Sequence, residues 1–241
     1  MLGPRAAFNF VWTTGLTGAM SGWVLAAQAV SPDAERFRRD ERRWARWVAR
    51  GNGIDVATFG AEHLDPARAY VLMANHQSHV DIVALFCALP MVPGFLAKAE
   101  LRRVPVFGRA MAVGGHVFVE RGEHSRAVAA IDEAARAIRD GATIVIFPEG
   151  TRSRRREVLP FKKGGFHLAM LAQVPIVPIG IRGTADILPK HGRGIRSGRC
   201  EVHIGAPIEP SGRSLDELLT ETRARICELA ALPAAADRSG A

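Results

Sequence analysis

From residue 54 onward, short apolar runs alternate with longer helical stretches, and that alternation constrains the fold of this 241-residue chain more than any other feature. Strands are expected at 70–74, 94–97, 117–119, 143–147 and 176–181, with 200–204 a further candidate. Helices are expected at 80–89, 104–112, 125–139, 164–172 and 215–229. In the third of these, Val128, Ile131, Ala135 and Ile138 recur at helical spacing and mark a packing face. Alternation of this kind predicts an α/β fold, a mixed and mostly parallel sheet flanked by helices. The expected organisation is a helical membrane-association segment over 1–50, an α/β domain over 51–232 and a flexible tail over 233–241.

The N-terminal segment is unusual. Residues 8–30, FNFVWTTGLTGAMSGWVLAAQAV, carry no charge. As a helix rising ~1.5 Å per residue they extend about 35 Å, long enough for a hydrocarbon core. Thr, Ser, Gly, Asn and Gln dilute the run, which favours shallow insertion over spanning, with a buried core helix as the alternative. Trp12 and Trp23 suit the level of a membrane interface. The charged stretch before the run is thin and no convincing cleavage site follows, which argues against a removed signal. Residues 33–50, DAERFRRDERRWARWVAR, place Phe37, Trp44, Trp47 and Val48 on one helical stripe among arginines. Such a helix is expected to lie on an anionic membrane surface, or else to pack on the domain by its aromatic stripe. Basic residues after the apolar segment put the rest of the chain on the cytoplasmic face of the inner membrane.

The formal net charge is +8 and arginine dominates it, which suits anionic partners. Aromatic residues are few and no nucleic-acid module is recognisable, so nucleic acid is not an expected partner. A phosphate-binding G-x-x-x-x-G-K-[ST] loop is absent. Cys87, Cys200 and Cys227 are far apart and show no C-x-x-C spacing, so neither a disulfide framework nor a zinc site is expected.

The polar motifs sit at strand ends. YVLMA reads as a strand and VDIVALFCAL as a helix, so NHQSH, residues 75–79, is the junction between them. Inside one helix, His76 and Asp81 would stand about 140° apart at roughly 100° per residue. With His76 in the turn and Asp81 in the first helical turn, the two can meet, and a carboxylate then fixes the imidazole for general-base work. Ser78 and Asp81 also fit a capping box. A metal held by His76, His79 and Asp81 needs further ligands, and no second cluster presents itself. FPEGTRSRRRE, residues 147–157, follows the strand TIVIF, where ligands bind in open α/β sheets. Glu149 and Arg152 are expected to project from that turn, with Arg152 suited to phosphate. GHVFVER brings Glu120 and Arg121 to the end of another strand.

Together these blocks resemble the glycerolipid acyltransferases, specifically bacterial-type 1-acyl-sn-glycerol-3-phosphate acyltransferases. The carriers are Asn75, His76 and Asp81; the strand 118–121; FPEGTRS at 147–153; and VPIVPIGIRGT at 174–184. AKAELRRVPVFG and IGAPI add to the likeness, which covers 54–208. The resemblance implies that His76 is the general base, oriented by Asp81, and that the acceptor hydroxyl attacks an acyl thioester directly. It implies that Arg121 and Arg152 hold the acceptor's phosphate with Lys98 as a third cation. Glu149 then positions the glycerol, Gly150 and Thr151 shape the loop, and 174–179 line an acyl channel or belong to the sheet beneath. It implies no metal or cofactor. The donor is acyl-CoA or acyl carrier protein, and the acceptor is lysophosphatidate or another lyso-lipid drawn from membrane lipids.

Overall fold

The computed structural model describes residues 4–120, 124–192 and 194–236. In chain order the elements are α1 (Pro4–Val30), α2 (Ala34–Asn52), β1 (Ile54–Phe59), β2 (Val71–Ala74), α3 (Val80–Ala88), β3 (Gly94–Lys98), α4 (Phe107–Val113) and β4 (Val117–Val119). They continue with α5 (His124–Arg139), β5 (Ile144–Ile146), α6 (Gly164–Ala172), β6 (Ile176–Arg182), α7 (Thr184–Ile187), β7 (Gly198–Ile204) and α8 (Leu215–Ala230).

The strands form one sheet in the order β1-β7-β6-β2-β5-β3-β4. From β6 to β4 every neighbouring pair is parallel. β7 runs antiparallel to β6, and β1 lies parallel to β7 at the edge. The expected mixed, mostly parallel sheet flanked by helices is therefore present. Successive strand residues point to opposite faces. Leu72, Ala74, Val145 and Val177 join the core beneath α2 and α3, while Val71, Met73, Ile144 and Ile146 join the core beneath α5, α6 and α8. Burial on both faces explains why the central strands read as unbroken apolar runs.

Three local departures have physical causes. β1, IDVATF, is not among the expected strands; it is an edge strand whose Asp55, Thr58 and Phe59 are exposed, so it lacks the apolar run of the interior strands. α4 begins at Phe107 and not at 104, because Val106 takes a left-handed φ of 64° and Phe107 N–H closes a tight turn onto Pro105 O at 2.7 Å. The segment expected to be a loose tail is held at its start: Val158 N–H donates to Pro233 O, and Ala235 N–H to Val158 O.

α1 and α2 form an antiparallel pair, and their contact is polar where the sequence looks merely diluted. Asn52 Nδ2 donates to Thr13 Oγ1 at 2.9 Å, Trp44 Nε1 to Thr17 Oγ1 at 3.0 Å, and Trp23 Nε1 to Asp40 Oδ2 at 3.1 Å. α1 also reaches the domain, through Asn9 Nδ2 to Ile195 O at 2.8 Å. The outward face of α1 is the apolar one: Phe8, Phe10, Val11, Trp23 and Val30 are each more than half exposed. On α2 the stripe faces inward. Phe37 and Val48 are buried and Trp44 packs edge-on against Phe86, with only Trp47 largely exposed. The α2 stripe therefore follows the second expectation, packing on the domain. Among the described residues, no helix is long and apolar enough to cross a membrane.

Candidate active site

β2 and β5 are parallel neighbours, so their C-terminal ends deliver two loops side by side. The loop after β2 carries Asn75 and His76. Asn75 bridges to β6, donating to Ile181 O at 2.9 Å and accepting Ile181 N–H at 2.7 Å. This pins the chain as it leaves the sheet. His76 stays outside α3 while Asp81 lies in its first turn, and His76 Nδ1 sits 2.8 Å from Asp81 Oδ2. The same oxygen accepts the N–H groups of Gln77 at 2.8 Å and Ser78 at 2.9 Å. Half of the expected capping box is thus present, the carboxylate half. The Ser78 hydroxyl instead accepts Val80 N–H at 3.1 Å and donates to Leu188 O at 2.7 Å.

The carboxylate requires the N–H on Nδ1, which leaves the lone pair on Nε2. The imidazole stacks on Phe147, with centroids 3.9 Å apart and planes inclined by 16°, and is thereby held in one plane. Its backbone is clamped from the loop after β5. Glu149 Oε1 accepts His76 N–H at 2.7 Å, and Ser153 N–H donates to His76 O at 2.7 Å. The other Glu149 oxygen accepts Leu159 N–H at 3.0 Å. Glu149 was expected to project from its turn; its side chain is in fact buried beneath the site, and both oxygens engage the backbone. Gly150 makes the turn possible, since its φ is 69° and a Cβ would meet the Lys162 side chain at 2.8 Å.

His76, Thr151 and Arg152 face a cavity of about 540 Å³. Beyond this polar end its wall is mostly apolar, with Val83, Phe86, Phe95 and Met111 from the domain and Met20 and Trp44 from the helix pair, and it also includes Asp40, Glu41 and His116. The volume falls within the range of small-molecule sites, roughly 300–1,000 Å³. A family model described as Acyltransferase matches residues 55–182. The chain belongs to the acyltransferase family. It is 36% identical over 208 residues to the 1-acyl-sn-glycerol-3-phosphate acyltransferase alpha of Ovis aries, covering 82% of this chain and 72% of that one. With the 1-acyl-sn-glycerol-3-phosphate acyltransferase of Saccharomyces cerevisiae it shares 36% identity over 170 residues, 69% of this chain and 55% of the relative. The crystal structure of the 1-acyl-sn-glycerophosphate acyltransferase of Thermotoga maritima superimposes with a TM-score of 0.79 at 27% identity, covering 93% of this chain and 94% of that one.

The remaining expected site residues of this acyltransferase fall into place unequally. Lys98 ends β3, lines the cavity and is half exposed, with Nζ 2.7 Å from Glu100. Arg121 lies outside the described residues. Residues 176–179 are buried sheet core and do not line the cavity. Lys190, which carries no motif, donates to Thr151 Oγ1 at 3.1 Å and Arg152 O at 2.5 Å.

Burial pushes the Glu149 carboxyl from 4.5 up to about 7, against the pull of the two backbone N–H groups and with a further upward push from Asp81. A carboxyl raised in the folded state contributes stability that is fully present below about 4.5 and lost as pH rises through about 7. The lost amount is about 3 kcal/mol. The excess unfolding free energy of the wild type over Glu149→Gln, from denaturant titration, is therefore expected to shrink by about that much between pH 4.5 and 8. An excess that stays flat across this window would show that Glu149 titrates alike in the folded and unfolded chain.

Proposed function

We propose that this acyltransferase moves a fatty acyl group from an acyl thioester to the sn-2 hydroxyl of 1-acyl-glycerol-3-phosphate, giving phosphatidic acid. The observation that carries the reading is the Asp81-held His76 at the polar end of an apolar cavity, beside Arg152. The relatives' names supply the acceptor. His76 Nε2 takes the proton of the acceptor hydroxyl. The oxygen forms a bond to the thioester carbonyl carbon while Asp81 stabilises the imidazolium. Collapse of the tetrahedral intermediate breaks the C–S bond, and the imidazolium proton goes to the thiolate. Ser78 is no rival nucleophile, because its hydroxyl is engaged by Leu188 O and Val80 N–H. Arg152 pairs with the acceptor's phosphate, a role suited to a guanidinium.

The acyl chain occupies the apolar part of the cavity, roofed in part by α1 and α2. The outward aromatic and apolar face of α1 rests on the cytoplasmic leaflet of the inner membrane, and the arginines of α2 favour anionic headgroups. Acyl-CoA or acyl carrier protein serves as donor, with no cofactor.

One experiment tests both parts. Purified protein is mixed with anionic vesicles carrying lysophosphatidate and supplied with a long-chain acyl thioester; the vesicles are then floated and phosphatidate is measured by mass spectrometry. The expected result is product, with the protein in the floating fraction. Acylation of a different lyso-lipid in preference to lysophosphatidate would overturn the acceptor, and product with the protein left at the bottom would overturn the membrane contact.

A further inference from the structure

Lys190 follows α7 and does not line the cavity, yet it is joined to the residues that do. Its ammonium carries three donors. Two are spent on the loop after β5: the Thr151 hydroxyl at 3.1 Å and the Arg152 carbonyl at 2.5 Å. Two residues earlier, Leu188 O accepts the Ser78 hydroxyl from the loop after β2. The segment 188–190 therefore fastens both loops of the active site. A second tie from this region to the loop after β5, Arg156 to Asp186 at 2.5 Å, is exposed and weakened by solvent. Lys190 grips the main chain of Arg152 and leaves the guanidinium to the cavity.

We propose that Lys190 is a positioning residue for the acceptor: it fixes the backbone from which Arg152 reaches the phosphate, and it acts through Arg152. The inference rests on the reading of Arg152 as the phosphate ligand. Charge supports it. Burial, Arg154 and Arg152 together make the Lys190 ammonium harder to keep charged, against an opposing pull from Glu149, and an incoming phosphate would relieve the repulsion among the three cations. A residue that holds the ligand's partner, and touches neither substrate, alters acceptor binding and leaves the chemical step intact.

The test is a double-mutant cycle on the full chain in vesicles, varying lysophosphatidate at saturating thioester. Lys190→Met keeps the stem and deletes the donors. It is expected to raise the acceptor KM about 10-fold, as for one charge-assisted hydrogen bond lost, with kcat within about twofold and the donor KM unchanged. Lys190→Arg is expected to restore most of the affinity. In an Arg152→Ala background, Lys190→Met is expected to add less than about twofold. An Arg152→Ala effect on KM without a Lys190→Met effect overturns the Lys190 inference alone. No effect from either overturns the phosphate reading as well. Fully additive effects mean that Lys190 acts independently of Arg152, which also overturns it. A loss of kcat and of both affinities together, unrescued by arginine, marks a general packing role and overturns it too.

Discussion

Replacing His76 by alanine is expected to lower kcat by between about 10²- and 10⁴-fold, with the acceptor KM little changed. The ring supplies the base, and it also gives Asp81 Oδ2 one of its three donors and stacks on Phe147. The main chain of residue 76 remains clamped by Glu149 and Ser153, because those bonds go to its N–H and C=O. The melting temperature is expected to fall by a few degrees for the lost Asp81 hydrogen bond and Phe147 stacking, with the protein still folded at assay temperature, so a lost rate is assignable to lost chemistry. Steady-state acyl transfer alongside a thermal melt reads both. A kcat within about tenfold of wild type would remove His76 from the role of general base.

The second large effect is expected at Asp81, and it has two components. Asp81→Asn keeps an oxygen where Oδ2 now accepts from His76, Gln77 and Ser78, so the loop geometry is largely preserved. The charge that stabilises the imidazolium is gone, which is expected to cost about 10²–10⁴-fold in kcat. The new amide nitrogen takes the place of Oδ1, which is buried without a hydrogen-bond partner among the described residues. Two unsatisfied N–H bonds in that spot are expected to cost about 1–3 kcal/mol of stability. The Asn variant is thus expected to be both slow and less stable, whereas His76→Ala is slow and keeps Asp81 Oδ2 bonded to Gln77 and Ser78. Asp81→Ala leaves all three donors without an acceptor and is expected to be less stable again. Denaturant midpoints for the three variants check this order; equal stability for His76→Ala and Asp81→Ala would mean that Asp81 does not hold the loop.

The two loops that meet at the site were legible because each carries its own signal: a strand ending in Asn-His, a helix opening on Asp, and a proline-glycine turn after TIVIF. The interior strands were legible because burial on both faces leaves unbroken apolar runs. What local sequence cannot encode is direction. Nothing within GRCEVHI says that β7 runs against β6, and nothing in FPEGTR says that Glu149 turns inward. A glutamate beside a glycine turn reads as solvent-facing; its burial depends on two amides, those of His76 and Leu159, brought from elsewhere. Lys190 was invisible for the same reason, since its partners lie 38 and 39 residues away in sequence. The threonines of α1 looked like impurities in an apolar run and prove to be its adhesive toward α2.

The pairing of β1 with β7 sets an order of events in synthesis. Ile54 pairs with Gly198 and Phe59 with His203, and Asn9 bonds to Ile195. These partners lie roughly 140 residues or more further along the chain. A ribosome adding about 5–20 residues per second takes on the order of ten to thirty seconds to reach them. The N-terminal helices and β1 are therefore made early, and β1 and Asn9 wait for partners made much later. Their greasy outer face meets its surroundings well before the domain that will carry it exists.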